Sequence, residues 1–222
     1  MEALIDNRGE ILDGFIVTLW LLLFAGVIAA VLGTLLVSMR VSPVAVLRGV
    51  GTSYVNLVRN TPLLLVLFLF RDAFPELGFT YSVNNYFDFF FIAATAGLGL
   101  YAAAFVCEAL RSGINSIPLG QAEAARAMGM TFTQSMREIV LPQAARAVIP
   151  PLASTYIALA KNTSVALAVG VTEASFVMKK LTNDNATDRL AIFFGFAGGY
   201  ILIVWAIAGL AHTLERAGVR TR

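Results

Sequence analysis

Long apolar runs separated by short polar connections dominate this chain. A helix needs roughly 20 mainly apolar residues to cross the hydrocarbon core of a bilayer. Five stretches meet that requirement, at about residues 15–38, 50–70, 86–108, 147–171 and 191–213. The pattern predicts an all-α, polytopic membrane protein with five transmembrane helices in a single transmembrane domain, 1–222. The first run carries no charge. The second is interrupted by Arg59, Asn60, Thr61 and Pro62. Leu63 to Phe70 alone is too short to span, so the polar half belongs to the span and faces protein or water. Arg71 to Asn85 reads as a loop. The third run is rich in small residues (Ala93, Ala94, Ala96, Gly97, Gly99), which let helices pack closely in lipid. The fourth carries Lys161, Asn162, Thr163 and Ser164 in its middle. A polar segment from Thr172 to Arg189, with a short helix around Glu173 to Leu181, leads into the fifth.

Between the third and fourth runs lies the longest polar-rich helical stretch, Gln121 to Pro142, within a loop of residues 116–142. It follows Asn115, Ser116 and Pro118, residue types that cap and open helices. Glu123 is placed in the first turn, where a carboxylate suits the positive helix end. Ala122, Ala124, Ala125 and Ala127 are strong helix formers with almost no side chain. Gly129 is suited to the left-handed conformation that ends one helix and lets another start. Phe132, Met136 and Ile139 recur on one face of the second helix. Ile139, Val140 and Leu141 lead to Pro142, which is expected to stop it. Two short helices joined at a glycine, exposing small side chains, form a surface another protein approaches closely.

Composition supports the membrane reading. The 222 residues are 58% hydrophobic and 14% charged, with mean hydropathy +0.78; soluble domains carry about 25% charged residues. The net charge of +2 excludes a bulk nucleic-acid role. Cys107 is the single cysteine, so no internal disulfide forms, and it reads as a small buried hydrophobe. The acidic start (Glu2, Asp6, Glu10, Asp13) is the wrong charge for a cleavable signal. No GxxxxGK[ST] pattern is present, so any ATP that drives this chain is bound by another subunit. An enzyme is not indicated: His212 is the only histidine, no metal cluster is apparent, and no nucleophile–base pair is suggested. Basic residues fix orientation. Arg40, Arg48, Arg111, Arg126, Arg137, Arg146, Arg216, Arg220 and Arg222 fall on one side. Arg8, Arg71, Lys179, Lys180 and Arg189 fall on the other, diluted by acids. The first set is expected to be cytoplasmic, with the carboxyl terminus and the 116–142 loop; the amino terminus is outside.

A charge at mid-membrane costs about 2.5–3.5 kcal/mol, so a few residues need a reason. Lys161 fits either a side chain snorkelling to the interface or a cation facing a cavity with Asn162, Thr163 and Ser164. Arg59 fits either an interfacial anchor or a pathway residue beside Asn60, Thr61 and a loosened backbone. Glu108 is expected to pair with Arg111 one turn on. Asp88 reads as a solvated end residue.

Three motifs carry a resemblance. Glu123-Ala124-Ala125, then Gly129, then Ile139-Val140-Leu141-Pro142 resembles, in type and spacing, the EAA loop of ABC importer permeases. Arg59-Asn60-Thr61-Pro62-Leu63-Leu64 resembles a motif of the polar amino-acid permease subfamily, with Asn60 in place of its usual glycine. Lys161-Asn162-Thr163-Ser164 resembles that subfamily's lysine-aspartate-threonine-serine motif, with Asn162 in place of aspartate. Arg40 to Pro43, Val58 to Pro62, Leu110 to Asn115 and Gln121 to Arg126 are similar to the glutamate-uptake permeases of actinobacteria.

The resemblance covers nearly the whole chain. It implies the type I ABC importer permease fold and a subunit of the cell membrane that imports a polar amino acid, glutamate or aspartate, by alternating access. Glu123, Ala124, Ala125, Gly129, Ile139, Leu141 and Pro142 then couple to two ATPase subunits, which bind the ATP and magnesium. A second permease subunit, homologous or identical, completes the pathway, and an extracellular solute-binding protein delivers the amino acid. Arg59, Asn60, Thr61 and Lys161 to Ser164 are the pathway candidates. The rival readings are an ion-gradient-coupled secondary transporter, which calls for intramembrane acids and inverted repeats, and a scaffold with no transport role.

Overall fold

The computed structural model describes residues 2–78 and 87–219, and every regular element among them is helical. In order these are α1 (Glu2–Asp6), α2 (Arg8–Arg40), α3 (Ala45–Arg59), α4 (Leu63–Glu76), α5 (Phe89–Asn115), α6 (Leu119–Ala127) and α7 (Phe132–Gln134). A π-helical segment (Ser135–Val140), α8 (Leu141–Ala147), α9 (Ile149–Asn162) and a 3₁₀ segment (Thr163–Val169) follow. The chain then forms α10 (Ala174–Asp184), a 3₁₀ turn (Ala186–Asp188) and α11 (Arg189–Val219).

Among the described residues, four helical stretches are long and apolar enough to cross a bilayer: α2, α5, α9 with its 3₁₀ continuation, and α11 with the turn before it. The expected second span is not one helix. α3 and α4 meet at 104°; together they are long and apolar enough for a fifth span, broken at Asn60–Pro62, or for a re-entrant hairpin. Pro62 has no N–H and pushes the preceding residue towards extended backbone. The end of α3 is closed by its own side chains: Asn60 Nδ2 donates to Asn56 O at 2.7 Å and Thr61 Oγ1 to Leu57 O at 2.8 Å. The expected loop after Phe70 is also corrected, because α4 continues through Arg71, Asp72 and Pro75 to Glu76. The expected start of the third span, residue 86, lies outside the described residues. Asp88 caps α5, accepting the Phe91 N–H at 2.8 Å, rather than serving only as a solvated end.

The core is the seam between α2 and α5. Val17, Leu21, Ala25 and Ala29 of the first pack with Ala94, Leu98, Ala102 and Val106 of the second. Lipid tails are as apolar as leucine, so contact and close approach, not water release, hold such helices together. The approach is set by glycine on both sides. A Cβ at Gly33 of α2 would stand 2.6 Å from Val106 Cγ1, and one at Gly99 of α5 would stand 2.7 Å from Ile28 Cβ. α3 completes this end of the bundle through Val37, Val55, Ala104 and fully buried Cys107. Tyr54 Oη adds a hydrogen bond to Leu100 O at 2.9 Å. A second core joins Ala3 of α1, Ala174, Val177 and Leu181 of α10, and Ile192 and Phe196 of α11. On the outside of α2, Leu19, Leu23, Val27, Val31 and Leu35 form an exposed stripe at helical spacing.

Candidate functional site

The polar stretch between α5 and α9 folds as two arms around Gly129. α6 ends in a Schellman motif: Gly129 N–H donates to Arg126 O at 2.9 Å and Met130 N–H to Ala125 O at 3.1 Å. Gly129 has φ +86°, the conformation expected of it. Thr131 opens the second arm with a capping box, paired reciprocally with Gln134. Glu123 is not in the first turn of α6, which begins at Leu119, so the helix-dipole argument for it fails. Glu123 and Ala124 are exposed, and Ala125 is buried against the second arm. Leu119, Met128 and Phe132 are 80%, 74% and 67% exposed, giving the elbow an apolar outer surface.

Pro142 does not stop the second arm. The chain stays helical from Phe132 to Ala147 and widens to a π-helix at Ser135–Val140. A proline inside a regular α-helix removes the bond to residue i−4 and crowds that carbonyl. A wider turn just before Pro142 relieves the crowding while Ile139 and Leu141 stay on the same arm. The Ile139 carbonyl is met by Gln143 Nε2 at 2.8 Å. The same amide bonds Gln121 Oε1 of α6, tying the arms together.

The intramembrane candidates separate into three groups. Asn162 lines a cavity of about 390 Å³ between α5 and α9, with Tyr101, Phe105, Ser154, Thr155 and Leu159. Its lining holds hydroxyls, one amide and apolar walls, with no charged side chain. Lys161, the adjacent residue, points elsewhere. With Ser164 it lines a second cavity of about 230 Å³ against Ser175 and Met178 of α10 and Phe196 and Tyr200 of α11. The expected single polar turn is thus divided between two cavities. Thr163 Oγ1 and Ser164 Oγ turn back onto Ala160 O and Lys161 O, at 2.7 and 2.6 Å, where the helix tightens to 3₁₀. Thr163 is fully buried and reaches neither cavity lining.

Arg59 stands at the α3–α4 break with its guanidinium 5.8 Å from the Phe105 ring centroid. Its carboxylate partner is Glu108, at 3.6 Å. The expected Glu108–Arg111 pair exists only as a long contact of 4.0 Å. The principal partner is Arg40, which reaches across from α2 to Glu108 Oε1 and also approaches Cys107 Sγ. Asn60 and Thr61 cap α3 instead of facing the cavities.

Sequence reasoning passed over Glu173. Its carboxylate accepts Ser175 N–H at 2.8 Å, Phe176 N–H at 3.0 Å and Tyr200 Oη at 2.8 Å, with Thr18 Oγ1 at 3.4 Å. The group caps α10 and joins it to α2 and α11, behind the Lys161 cavity. Burial pushes the Glu173 carboxyl up to about 7, against the pull of these donors. An acid just before a helical pattern is the signal that marks it. Tyr101 with Phe105, and Thr155 with Ala158 and Asn162, recur at helical spacing and mark the first cavity in the same way.

A helical bundle with a sharp α3–α4 bend, and with an exposed two-armed elbow between α5 and α9, has the type I ABC importer permease fold. The chain belongs to the family of binding-protein-dependent transport system inner membrane components, which it matches over residues 22–217. It is a multi-pass protein of the plasma membrane. It is 42% identical over 221 residues to the glutamate transport system permease protein GluC of Corynebacterium efficiens, covering 97% of both chains. It is 36% identical to the glutamate/aspartate import permease protein GltJ of Escherichia coli, covering 96% of this chain and 88% of the relative. The crystal structure of an amino acid ABC transporter superposes with TM-score 0.85 at 25% identity, over 96% of both chains. A methionine ABC transporter shares the fold at TM-score 0.68 and 22% identity.

Proposed function

We propose that this chain is the membrane-spanning permease of an ATP-driven importer that carries glutamate or aspartate into the cytoplasm. The observation that carries the reading is the exposed α6–Gly129–α7 elbow, whose EAA-like pattern sits on a rigidly capped turn. Two ATPase subunits, which bind ATP and magnesium, dock on this elbow. With a second permease, homologous or identical, the chain encloses the pathway, and an external solute-binding protein delivers the amino acid. ATP-driven closure of the ATPases draws the elbows together and opens the core outward; hydrolysis resets it. This orientation puts the amino terminus outside and the elbow and carboxyl terminus in the cytoplasm.

Several features support the mechanism. Among the described residues no cation pairs with Glu123, so its carboxylate is available to a positive group on the ATPase. Gln143 and the Schellman turn stiffen the elbow against the stroke it must transmit. The neutral, hydroxyl-rich lining of the Asn162 cavity suits an acidic amino acid better than an aspartate at that position would. The test is uptake of labelled glutamate by the assembled transporter in vesicles. Glu123→Ala and Gly129→Val are expected to insert normally but lose most ATP-dependent uptake. Normal uptake in both variants removes the coupling assignment, and uptake that follows an ion gradient instead of ATP removes the importer assignment.

A further inference from the structure

The Glu108 cluster holds an imbalance of charge. One carboxylate serves three guanidiniums: Arg40 from α2, Arg59 from α3 and Arg111 from α5. These contacts are unequal. The Arg40 side chain is 7% exposed and takes Glu108 Oε1 directly, whereas Arg59 is 46% exposed and shares the same oxygen at 3.6 Å. A carboxylate already committed to a buried arginine leaves two positive charges in excess, and Arg59 is the looser of the contacts on Oε1. Arg59 also lies against Phe105, whose ring is part of the wall of the 390 Å³ cavity. That cavity has polar groups for an amino acid backbone and no cation of its own.

The geometry points to Arg59 as the receiver of a carboxylate from the substrate in the Asn162 cavity, with Glu108 as a resident competitor that the substrate displaces and that then reclaims the arginine. The inference rests on the acidic-amino-acid reading above and assigns Glu108, Arg40 and Arg111 a part in it. An arginine with no internal partner would hold a dicarboxylate tightly in a site of low dielectric. Conduction needs a site strong enough to be entered and weak enough to be left. Arg40 anchors Glu108, so the competitor stays within reach during exchange. Arg111, 4.0 Å from the other oxygen, gives the carboxylate a second cationic neighbour while Arg59 is engaged elsewhere.

The test uses the assembled transporter without its binding protein, with labelled glutamate as ligand and glutamine as its neutral analogue. Arg59→Gln is expected to weaken glutamate binding about tenfold or more. Arg40 and Glu108 remain paired in that variant, so the fold is kept. Glu108→Gln is expected to tighten glutamate binding and slow glutamate uptake, with glutamine binding little changed in both variants. Unchanged glutamate affinity in Arg59→Gln overturns the inference, as does equal loss of glutamate and glutamine binding, which marks a purely structural clamp. Occupancy of Arg59 that follows the phosphatidylglycerol content of the vesicles and ignores glutamate also overturns it. Failure of the wild-type transporter, binding protein included, to move glutamate overturns the acidic-substrate reading itself and is scored separately.

Discussion

Glu173 shows what one buried group does to its surroundings. Among the described residues it is the only carboxylate shut off from solvent, and its donors come from three elements, α2, α10 and α11. Its pKa in the folded protein, about 7, lies above that of an ordinary carboxyl. The folded state therefore holds a proton that the unfolded chain gives up, and its stabilising effect is complete below the unfolded pKa and lost as pH rises through 7. The thermal unfolding midpoint in detergent is expected to fall between about pH 5 and pH 8. The fall should be smaller in Glu173→Gln; equal slopes would show that another group governs the dependence.

Gly33 and Gly99 act through the space they leave. A methyl at Gly33 meets Val106 and, at 3.1 Å, the backbone oxygen of Ala103, which cannot rotate away. Gly33→Ala and Gly99→Ala are each expected to cost about 1–3 kcal/mol of stability through overpacking. Gly209→Ala meets nothing within 4 Å and is the control, with no loss expected. Thermal unfolding of the purified protein distinguishes them.

At the scale of elements, the two prolines behave differently. Pro62 opens a 104° bend, and Pro142 is absorbed into a helix that widens before it. The difference lies in the neighbours. Asn60 and Thr61 cap the end of α3 and compete with continuation of the helix, whereas no such capping residue precedes Pro142, and Gln143 takes up the Ile139 carbonyl. Pro62→Ala is expected to straighten the break, so spin labels at Val46 and Leu69, both exposed, should move apart. An unchanged distance would assign the bend to tertiary packing alone. Pro142→Ala is expected to return the π-turn to α-helix, rotate the residues before it and reduce ATP-dependent uptake.

These elements also show what was legible in the chain. Apolar run length marked the four runs that form helices long enough to span, because the bilayer imposes that length, and Gly129 was legible because its left-handed turn needs glycine. The first turn of α6 lies earlier than the alanine-rich run suggests, because the helix starts directly after Pro118 and takes in Leu119 and Gly120, of which glycine is a poor helix former. Lys161 and Asn162 were grouped because they are adjacent; on a helix adjacent residues lie about 100° apart, and here two different neighbours face them. Glu108 was assigned to Arg111 by sequence spacing, and Arg40, 68 residues away, cannot be read from a local pattern.

For the whole molecule, the division of charge between the two ends gives a direct test of sidedness. Cys107 is fully buried, so a Cys107→Ser background allows single-cysteine labelling. Asn183→Cys on α10 is expected to react with an impermeant reagent in intact cells, and Gly120→Cys on α6 only after permeabilisation. The reverse result would turn the elbow away from any ATPase.

The doubly notched seam between α2 and α5 has a mechanical consequence. Each helix drives one branched side chain into the other's backbone, Val106 at Gly33 and Ile28 at Gly99, so a one-residue slip jams a methyl against a carbonyl. The pair is keyed like a shaft in its collar and turns as a unit. If the core rocks as proposed above, the swing is expected at joints elsewhere, at the bend between α3 and α4 and the tightened stretch after Asn162, while this axle stays true.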